Sequence, residues 1–242
     1  MKKLTFLLFS FIVFFTACGG GGGSGSSGST VKIMPLGDSI TYDDAHAYYK
    51  NGKNTVPAGK RVAYRSFLAY NLNDAGVKYN FVGSRRAGYD VEPKFDPDNE
   101  GHPGWTSWDI AKHVYSYLEH NTPDVILLHI GTNDRKGGRV DGTQKILDEI
   151  NRFKKDKKKK IKVFVALIIN RWFWDKTIEK YNANLLSMLK NRNDKDIVIV
   201  DMRHLISGGQ HDYLENTHPN ASGYKRIADR WFTSLMDSGV FK

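Results

Sequence analysis

Five short runs of apolar residues, separated by segments with helical spacing, constrain the fold of this chain more than any other feature. The runs are VKIMPL (31–36), YNFVG (79–83), VILLHI (125–130), IKVFVALII (161–169) and IVIVD (197–201). They are nearly continuous in apolar residues, which is typical of parallel strands covered on both faces. Between them, apolar side chains such as Ile146, Ile150 and Phe153 recur at helical spacing. We therefore predict an α/β fold, a three-layer α/β/α sandwich with a five-stranded, mostly parallel sheet of flavodoxin-like type.

A segment of different composition precedes this pattern. MKK followed by LTFLLFSFIVFF has the charged start and apolar core of an export signal. Cys18, the only cysteine, follows FTA, a position that resembles the lipobox of bacterial lipoproteins, and a flexible Gly/Ser spacer comes after it. We expect a lipoprotein signal peptide over 1–17, a lipidated Cys18 and tether over 18–30, and one exported, membrane-anchored domain over 31–242, periplasmic or at the cell surface. The alternative is an ordinary secretory signal with an incidental cysteine.

The charge of the chain is strongly positive, with 36 Lys and Arg against 26 Asp and Glu, a formal net charge of +10. Much of the excess lies in KKDKKKKIK, residues 154–162. Such a run is known from nucleic-acid-binding proteins, but a solvated turn is the commoner explanation, and an exported protein rarely meets nucleic acid. Because the run leads into the fourth predicted strand, we expect it at the edge opposite the ligand crevice. We expect a monomer that binds no nucleic acid.

Ligands of parallel α/β proteins bind beyond the carboxyl ends of the strands, so the residues there are the candidates for chemistry. Ser39, in PLGDSIT, follows the first strand, with Gly37 allowing a sharp turn, and Asn133, in IGTND, follows the third. Gly104 stands just before TSWD, a capping box that predicts a helix start. A serine becomes a nucleophile when a base takes its proton, and backbone N–H groups and an amide can hold an oxyanion. Taken singly, each residue also fits a turn or a cap.

The candidate base is His218, in YLENTHPNASGY, with Glu215 three residues before it and a predicted helix just after it. The carboxylate could hold the Nδ1–H of the imidazole and leave Nε2 to deprotonate Ser39. The alternative is a polar loop with a structural histidine. The eight histidines show no metal-ligand spacing, so we expect no metal and no cofactor.

These elements follow successive predicted strands in order, and together they resemble a known family. The blocks MPLGDSIT, FVGS, EGHPGWT, LLHIGTND and HPNASGY are similar to those of SGNH hydrolases of the GDSL esterase superfamily, especially the acetyl xylan esterases of carbohydrate esterase family 3. The resemblance covers residues 31–238. It implies Ser39 as nucleophile, His218 as base, and an oxyanion hole formed by Ser39, Gly104 and Asn133. It also implies removal of acetyl or other short acyl groups from a carbohydrate such as acetylated xylan.

One position departs from the family pattern, which has aspartate three residues before the histidine where this chain has Glu215. The extra methylene extends the carboxylate by about 1.5 Å, so the side chain must fold back or the loop must shift. If Glu215 does not reach the imidazole, a backbone carbonyl or Asp212 is the alternative partner of His218.

The substrate is less constrained than the reaction. Five aromatic residues in or beside the crevice loops are expected either to form a sugar-binding wall or to pack in the core: Tyr42, Trp105, Trp108, Trp172 and Trp174. Two other functions stay open at this point. One is a lysophospholipase or thioesterase of the same fold, and the other is a surface lipoprotein that binds glycans without catalysis.

Overall fold

The structure, a computed structural model, describes residues 29–134, 137–206 and 211–242. The predicted signal peptide and Cys18 lie outside these residues. The strands are β1 (Val31–Gly37), β2 (Tyr49–Lys50), β3 (Lys53–Asn54), β4 (Tyr79–Phe81), β5 (Arg85–Arg86), β6 (Asp98–Gly101), β7 (Val125–His129), β8 (Lys162–Leu167) and β9 (Ile197–Asp201). The helices are α1 (Ser39–Tyr42), α2 (Ala63–Asp74), α3 (Ser107–His120), α4 (Asp141–Asp156), α5 (Lys176–Arg192) and α6 (Ala221–Asp237). None of the helices in these ranges is both long enough and apolar enough to cross a membrane.

All five predicted strands form, and they make a parallel sheet in the order β4-β1-β7-β8-β9. Two short strands extend this sheet, so that it has seven strands rather than the expected five. The reason is that β4 pairs only with the first half of β1, which leaves the second half free to pair with β6 at Leu36 and Gly37. β5 then adds to β6 in antiparallel direction. Both extra strands are polar and short, so no apolar run marks them in the sequence.

Helices cover both faces of the sheet, as predicted. On one side α3 packs on α4, and the Thr143 hydroxyl of α4 lies 2.8 Å from the Tyr181 hydroxyl of α5. On the other side α2 packs on α6, where Asn71 Nδ2 donates to Asp229 Oδ1 at 2.9 Å. Right-handed crossovers account for this division. The chain runs from β1 to β4 in one direction along the sheet, and from β4 it returns past β1 to β7, β8 and β9 in the other direction.

The lysine run lies at the amino ends of the strands, at the edge of the sheet expected from the sequence. It occupies the last turn of α4 and the connection into β8. Lys157 forms a 2.8 Å ion pair with Glu119, and Lys154 is paired with Asp196. These residues are therefore remote from the carboxyl ends of the strands.

Gly37 ends β1 for a reason that differs from the predicted sharp turn. A Cβ placed on Gly37 would lie 2.2 Å from the carbonyl oxygen of His129 in β7. Any side chain at this position would thus force β1 and β7 apart just where α1 begins. The glycine allows the two strands to approach closely and brings the start of α1 to the carboxyl edge of the sheet.

Candidate active site

Ser39 is the first residue of α1, directly beyond the carboxyl end of β1. The Asp38 side chain caps this helix and accepts from the Ile40 N–H at 2.9 Å. The N–H of Ser39 itself has no acceptor among the described residues, as expected for the first turn of a helix. The short helix therefore presents both the hydroxyl and a free N–H of Ser39 at the edge of the sheet.

The Asp38 side chain, which caps α1, is a buried carboxyl group with a raised pKa. Burial raises its pKa to about 6, against the opposing effects of the Ile40 N–H and of the charge of His218. Its Oδ1 is bonded to the Ile40 N–H, while Oδ2 has no hydrogen-bond partner in the described part of the chain. The cap of α1 is thus a buried carboxyl group directly beside the candidate nucleophile.

His218 reaches Ser39 from the other end of the chain. Its Nε2 lies 2.8 Å from Ser39 Oγ, and the side chain is almost fully buried. The loop that carries it is a tight hairpin, because Tyr213 pairs with Pro219 and the Leu214 N–H donates to the His218 carbonyl at 2.9 Å. The predicted helix follows at once as α6. The structure therefore brings together the two residues that the sequence separates by 179 positions.

Glu215 folds back onto the imidazole. The Nδ1–H of His218 donates to Oε1 of Glu215. The backbone N–H groups of His218 and Thr217 donate to the two carboxylate oxygens of Glu215 at 3.2 Å each. Burial opposes ionisation of Glu215, but the hydrogen bonds from the His218 imidazole and from the Thr217 N–H help to hold the pKa of Glu215 below its usual value. The extra methylene is thus accommodated by the hairpin. With Nδ1–H held, Nε2 is the acceptor that faces the Ser39 hydroxyl.

Asp212, the alternative partner considered for His218, has a different role. Its buried carboxylate accepts from the Ser222 hydroxyl at 2.9 Å and from Arg226 Nε at 3.2 Å, both on α6. His211 Nδ1 also lies 3.1 Å from it. Asp212 therefore fastens the loop to α6, and Glu215 is the carboxylate that orients His218.

Gly104 and Asn133 line the same pocket as Ser39 and His218, a cavity of about 360 Å³. Gly104 has a φ of +79°, in the left-handed region that favours glycine, and a Cβ there would meet open space. Glycine is thus favoured at position 104 by the backbone conformation, and not by a lack of space for a side chain. Asn133 Nδ2 donates one hydrogen to the Trp105 carbonyl at 2.9 Å, which fixes the amide and leaves its second hydrogen for the pocket. Four of the five residues predicted to carry the chemistry therefore meet in one cavity, and the fifth, Glu215, is bonded to His218.

Comparison with known proteins agrees with this arrangement. Residues 36–226 match the GDSL-like lipase/acylhydrolase family. The chain belongs to this family. Among solved structures, it is similar to the family 3 carbohydrate esterase of Clostridium thermocellum, at 29% identity and a TM-score of 0.71 over 88% of this chain and 100% of that one. It is also similar to a family 3 carbohydrate esterase of Talaromyces cellulolyticus, at 26% identity and a TM-score of 0.69 over 86% and 98%.

A curated relative points to the same chemistry. The chain is 27% identical over 236 residues to a multidomain esterase of Ruminococcus flavefaciens, which covers 86% of this chain. The chain spans only 29% of the length of that relative. Together with the family match, these similarities confirm the expected resemblance to esterases of the GDSL family.

The aromatic residues singled out from the sequence are not part of the pocket wall of this acylhydrolase. In the described residues the wall contains one phenol or indole ring, that of Tyr49. Tyr42 is buried beneath the Arg85 guanidinium, which lies 4.3 Å from its ring centroid, and Trp108 is exposed on α3. The remaining three stack on neighbouring rings beside the pocket: Trp105 on His102, Trp172 on Phe173 and Trp174 on His204.

Five polar residues of the wall were not predicted from the sequence: Asp44, His46, Tyr49, Arg171 and Thr217. The His46 ring stands edge-on to that of His218, with 5.7 Å between centroids. Arg171 follows β8 at the carboxyl edge, in the segment NRWFWD, where the indoles drew attention instead. The segment follows a predicted strand, but an isolated charge within it carries no period or motif that would have identified Arg171.

A second Glu–His pair supports the oxyanion side of the pocket. Glu100, fully buried in β6, accepts from the Ser84 N–H and hydroxyl at 2.7 Å each, and its Oε1 lies 2.7 Å from His102 Nε2. The His102 ring is stacked on Trp105, with 4.2 Å between centroids, and on Tyr117, with 5.1 Å. Since the Trp105 carbonyl holds the Asn133 amide, this stack supports a predicted oxyanion donor.

Proposed function

We propose that this esterase removes acetyl or other short acyl groups from a carbohydrate, acetylated xylan or a related glycan, through an acyl-enzyme on Ser39. The observation that carries the proposal is the 2.8 Å contact between Ser39 Oγ and His218 Nε2, with Nδ1 of the same imidazole bonded to Glu215. This is the arrangement that activates a serine hydroxyl.

The first half of the reaction forms the acyl-enzyme. Ser39 Oγ attacks the ester carbonyl while its proton passes to His218 Nε2, and Glu215 stabilises the imidazolium that results. The carbonyl oxygen becomes an oxyanion, held by the N–H groups of Ser39 and Gly104 and by the Asn133 amide. The tetrahedral intermediate then collapses, and His218 returns the proton to the departing sugar hydroxyl.

The second half of the reaction repeats these steps with water. His218 takes a proton from a water molecule, which attacks the acyl carbon of acyl-Ser39. The same donors hold the second oxyanion, and the bond to Ser39 Oγ breaks as His218 returns the proton to that oxygen. The products are a carboxylic acid, acetate in the proposed case, and free enzyme.

A carbohydrate is favoured over a lipid by the walls of the pocket. Most side chains that line it are polar, and within the described ranges only Pro103 and Tyr49 offer it an apolar side chain. Sugar hydroxyls can be bound by such groups, whereas a long acyl chain needs an apolar channel. The similarity to family 3 carbohydrate esterases supports the same choice. A lysophospholipase or thioesterase is thus the weaker candidate.

The deciding experiment is acetate release from acetylated xylan by the purified protein. We expect release by wild type and by Ser116→Ala, a control serine exposed on α3, and loss of release in Ser39→Ala. Turnover of long-chain acyl esters without acetate release would instead favour the lipid-directed activity. Saturable glycan binding with no turnover of any ester would favour a binding protein on a hydrolase scaffold.

We propose in addition that the enzyme is exported and anchored to a membrane through a lipid on Cys18. The support is the sequence of residues 1–18 and the Gly/Ser spacer after it. Cys18→Ser is the test, with the protein expressed in a bacterium and its membrane and soluble fractions compared. We expect wild type in the membrane fraction and the variant released from it, and an unchanged distribution would contradict the anchor.

A further inference from the structure

Arg171 places a cationic group in the wall of the catalytic pocket. It lines the same cavity as Ser39, Asn133 and His218. Its position is fixed from behind, because Nη2 donates to the Thr132 carbonyl at 3.1 Å and the side chain is only 16% exposed. The guanidinium is therefore a built part of the pocket rather than a mobile surface charge.

Most hydrogen-bonding capacity of this guanidinium is unused. A guanidinium has five N–H donors, and the bond to Thr132 is the one that the described residues satisfy. Nε is buried without a hydrogen-bond partner in that part of the chain, and Asp175, its ion-pair neighbour, lies 3.7 Å away. A buried charged group with so few partners is unfavourable in the absence of an acceptor. An acceptor on the substrate would bond the N–H groups of Nη1 and the second N–H of Nη2, whereas the buried Nε faces Asp175.

The carboxylates of the catalytic pocket do not neutralise Arg171. Asp44 accepts from Arg61 at 2.8 Å, from Asn54 at 2.7 Å and from the Tyr49 hydroxyl at 3.1 Å. Glu215 is bonded to His218. Neither carboxylate is therefore hydrogen-bonded to Arg171.

Two carboxylates lie on the far side of Arg171 and define the side from which an anion can approach. A second cavity of about 280 Å³ shares Arg171 as a wall and is lined by Asp134 and Asp175. Asp134 accepts from the Ser107 hydroxyl and N–H, and burial raises its pKa despite these bonds. An anion is disfavoured in that acidic cavity, so the side of Arg171 that faces Ser39 is the one that can accept it.

Building on the proposed function, we infer that Arg171 forms a subsite for a carboxylate on the glycan, so that the esterase prefers acylated sugars that carry a uronate group. The planar fork of a guanidinium matches a carboxylate with two parallel hydrogen bonds, which a sugar hydroxyl cannot supply. The cavity is several times larger than an acetyl group and accommodates part of the sugar ring beside it. The acyl group lies at Ser39 and the carboxylate at Arg171.

The test uses two substrates that differ only at the acid. One is a monoacetylated methyl glucuronide, and the other is the monoacetylated methyl glucoside with the ester at the same position, in which the carboxylate is replaced by CH₂OH. Acetate release gives kcat/KM on each for wild type, Arg171→Gln, Arg171→Lys and Arg152→Gln. Arg152 is the matched control, since it is a surface arginine that pairs with Glu149 on α4.

Wild type and Arg152→Gln are expected to prefer the uronate by about 10-fold in kcat/KM, since a hydrogen-bonded charge pair is being gained. Arg171→Gln is expected to lose the preference, chiefly because KM rises more for the uronate than for the neutral sugar. Arg171→Lys should keep part of the preference, because it retains the charge but not the fork. Added salt should reduce the preference of wild type.

Two results would overturn the inference while leaving the proposed function intact. One is equal turnover of both sugars by wild type, and the other is an equal loss on both sugars in Arg171→Gln, which would indicate that Arg171 only positions the Thr132 turn. If 4-nitrophenyl acetate is hydrolysed but neither sugar ester is, the carbohydrate assignment fails and the uronate subsite fails with it.

Discussion

Two Glu–His pairs lie near the same edge of the sheet, and they use their imidazoles in opposite ways. In the hairpin before α6, Glu215 holds Nδ1 of His218, and Nε2 faces the Ser39 hydroxyl. In β6 and the loop after it, Glu100 lies against Nε2 of His102. The ring of that second histidine is stacked on aromatic neighbours, and His102 is not part of the wall of the cavity that holds the nucleophile. Similar chemical groups thus form a reactive centre in one place and a support in the other.

The difference is set by local geometry rather than by residue type. A spacing of three in a tight hairpin lets Glu215 fold back to Nδ1, whereas a spacing of two at the end of a strand places Glu100 at Nε2. The Glu100 side chain is fully buried, while that of Glu215 is 23% exposed beside the pocket. An imidazole serves as a base only where its second nitrogen is free to face the proton that must move.

The largest difference between the two pairs is expected when each imidazole is removed. His218→Gln should lower kcat by about 10⁴-fold to 10⁶-fold, because among the described residues only His218 lies within hydrogen-bond distance of Ser39 Oγ to take its proton. His102→Gln should cost about 100-fold or less, since it affects only how an oxyanion donor is held. Both are measured as acetate release from the same ester, with folding checked by circular dichroism. A loss in His102→Gln as large as that in His218→Gln would erase the distinction between the pairs.

The next largest effect is expected at the carboxylate that orients the base. Glu215→Gln should lower kcat by about 10³-fold to 10⁴-fold, because an amide can stabilise the wrong tautomer and no longer stabilises the imidazolium. KM should change little, since Glu215 is bonded to the loop and to the imidazole rather than to the sugar. Glu149→Gln, on the remote surface of α4, is the control. A variant with nearly full activity would show that the hairpin backbone alone orients the histidine.

The supporting pair should act through Asn133. His102→Phe keeps a flat ring between Trp105 and Tyr117 but removes the bond to Glu100, so we expect kcat to fall by about 10-fold with KM unchanged. If His102 acts through the Asn133 amide, which the Trp105 carbonyl holds, the loss of kcat caused by His102→Phe should be smaller in an Asn133→Ala background. Measuring kcat for the two single variants and for the double variant gives a double-mutant cycle that tests this coupling. Fully additive losses would mean that His102 supports the fold but not the oxyanion donor.

The sequence predicted the reactive pair and missed the supporting one for a physical reason. His218 and Glu215 stand after the last apolar strand, where topology alone predicts a site, and the loop is local enough for a spacing argument. Glu100 and His102 depend on β6, a polar four-residue strand that exists because β4 leaves half of β1 unpaired. No periodicity marks such a strand, so its neighbours cannot be placed from the sequence.

The same contrast explains the other differences between expectation and structure. The five apolar strands, the capping box of α3 and the helix after His218 are local patterns, and all of them form. The positions of the aromatic side chains depend on packing in the fold: of the five expected to form a sugar wall or to pack in the core, three stack on other rings, Tyr42 lies beneath Arg85, and Trp108 is exposed. Arg171 was missed because an isolated charge after a strand carries no period or motif. Its importance comes from the groups around it in the fold.

The smallest effect that we expect is a pH dependence of the unfolding free energy caused by the pair of Glu215 and His218. The pKa of Glu215 is lowered in the folded state by its contacts with His218, so ionised Glu215 contributes stability above its unfolded pKa near 4.5. That contribution is lost as the pH falls through the lower folded pKa.

Wild type should therefore exceed Glu215→Gln by about 1 kcal/mol in unfolding free energy at pH 7, and the difference should vanish as the pH falls below 4.5. Urea unfolding at several pH values measures it, and Glu119→Gln, which removes an exposed pair with Lys157, should show a smaller change. A difference that stays constant down to pH 3 would mean that the Glu215 charge does not stabilise the hairpin, and its role would then be limited to orienting the imidazole.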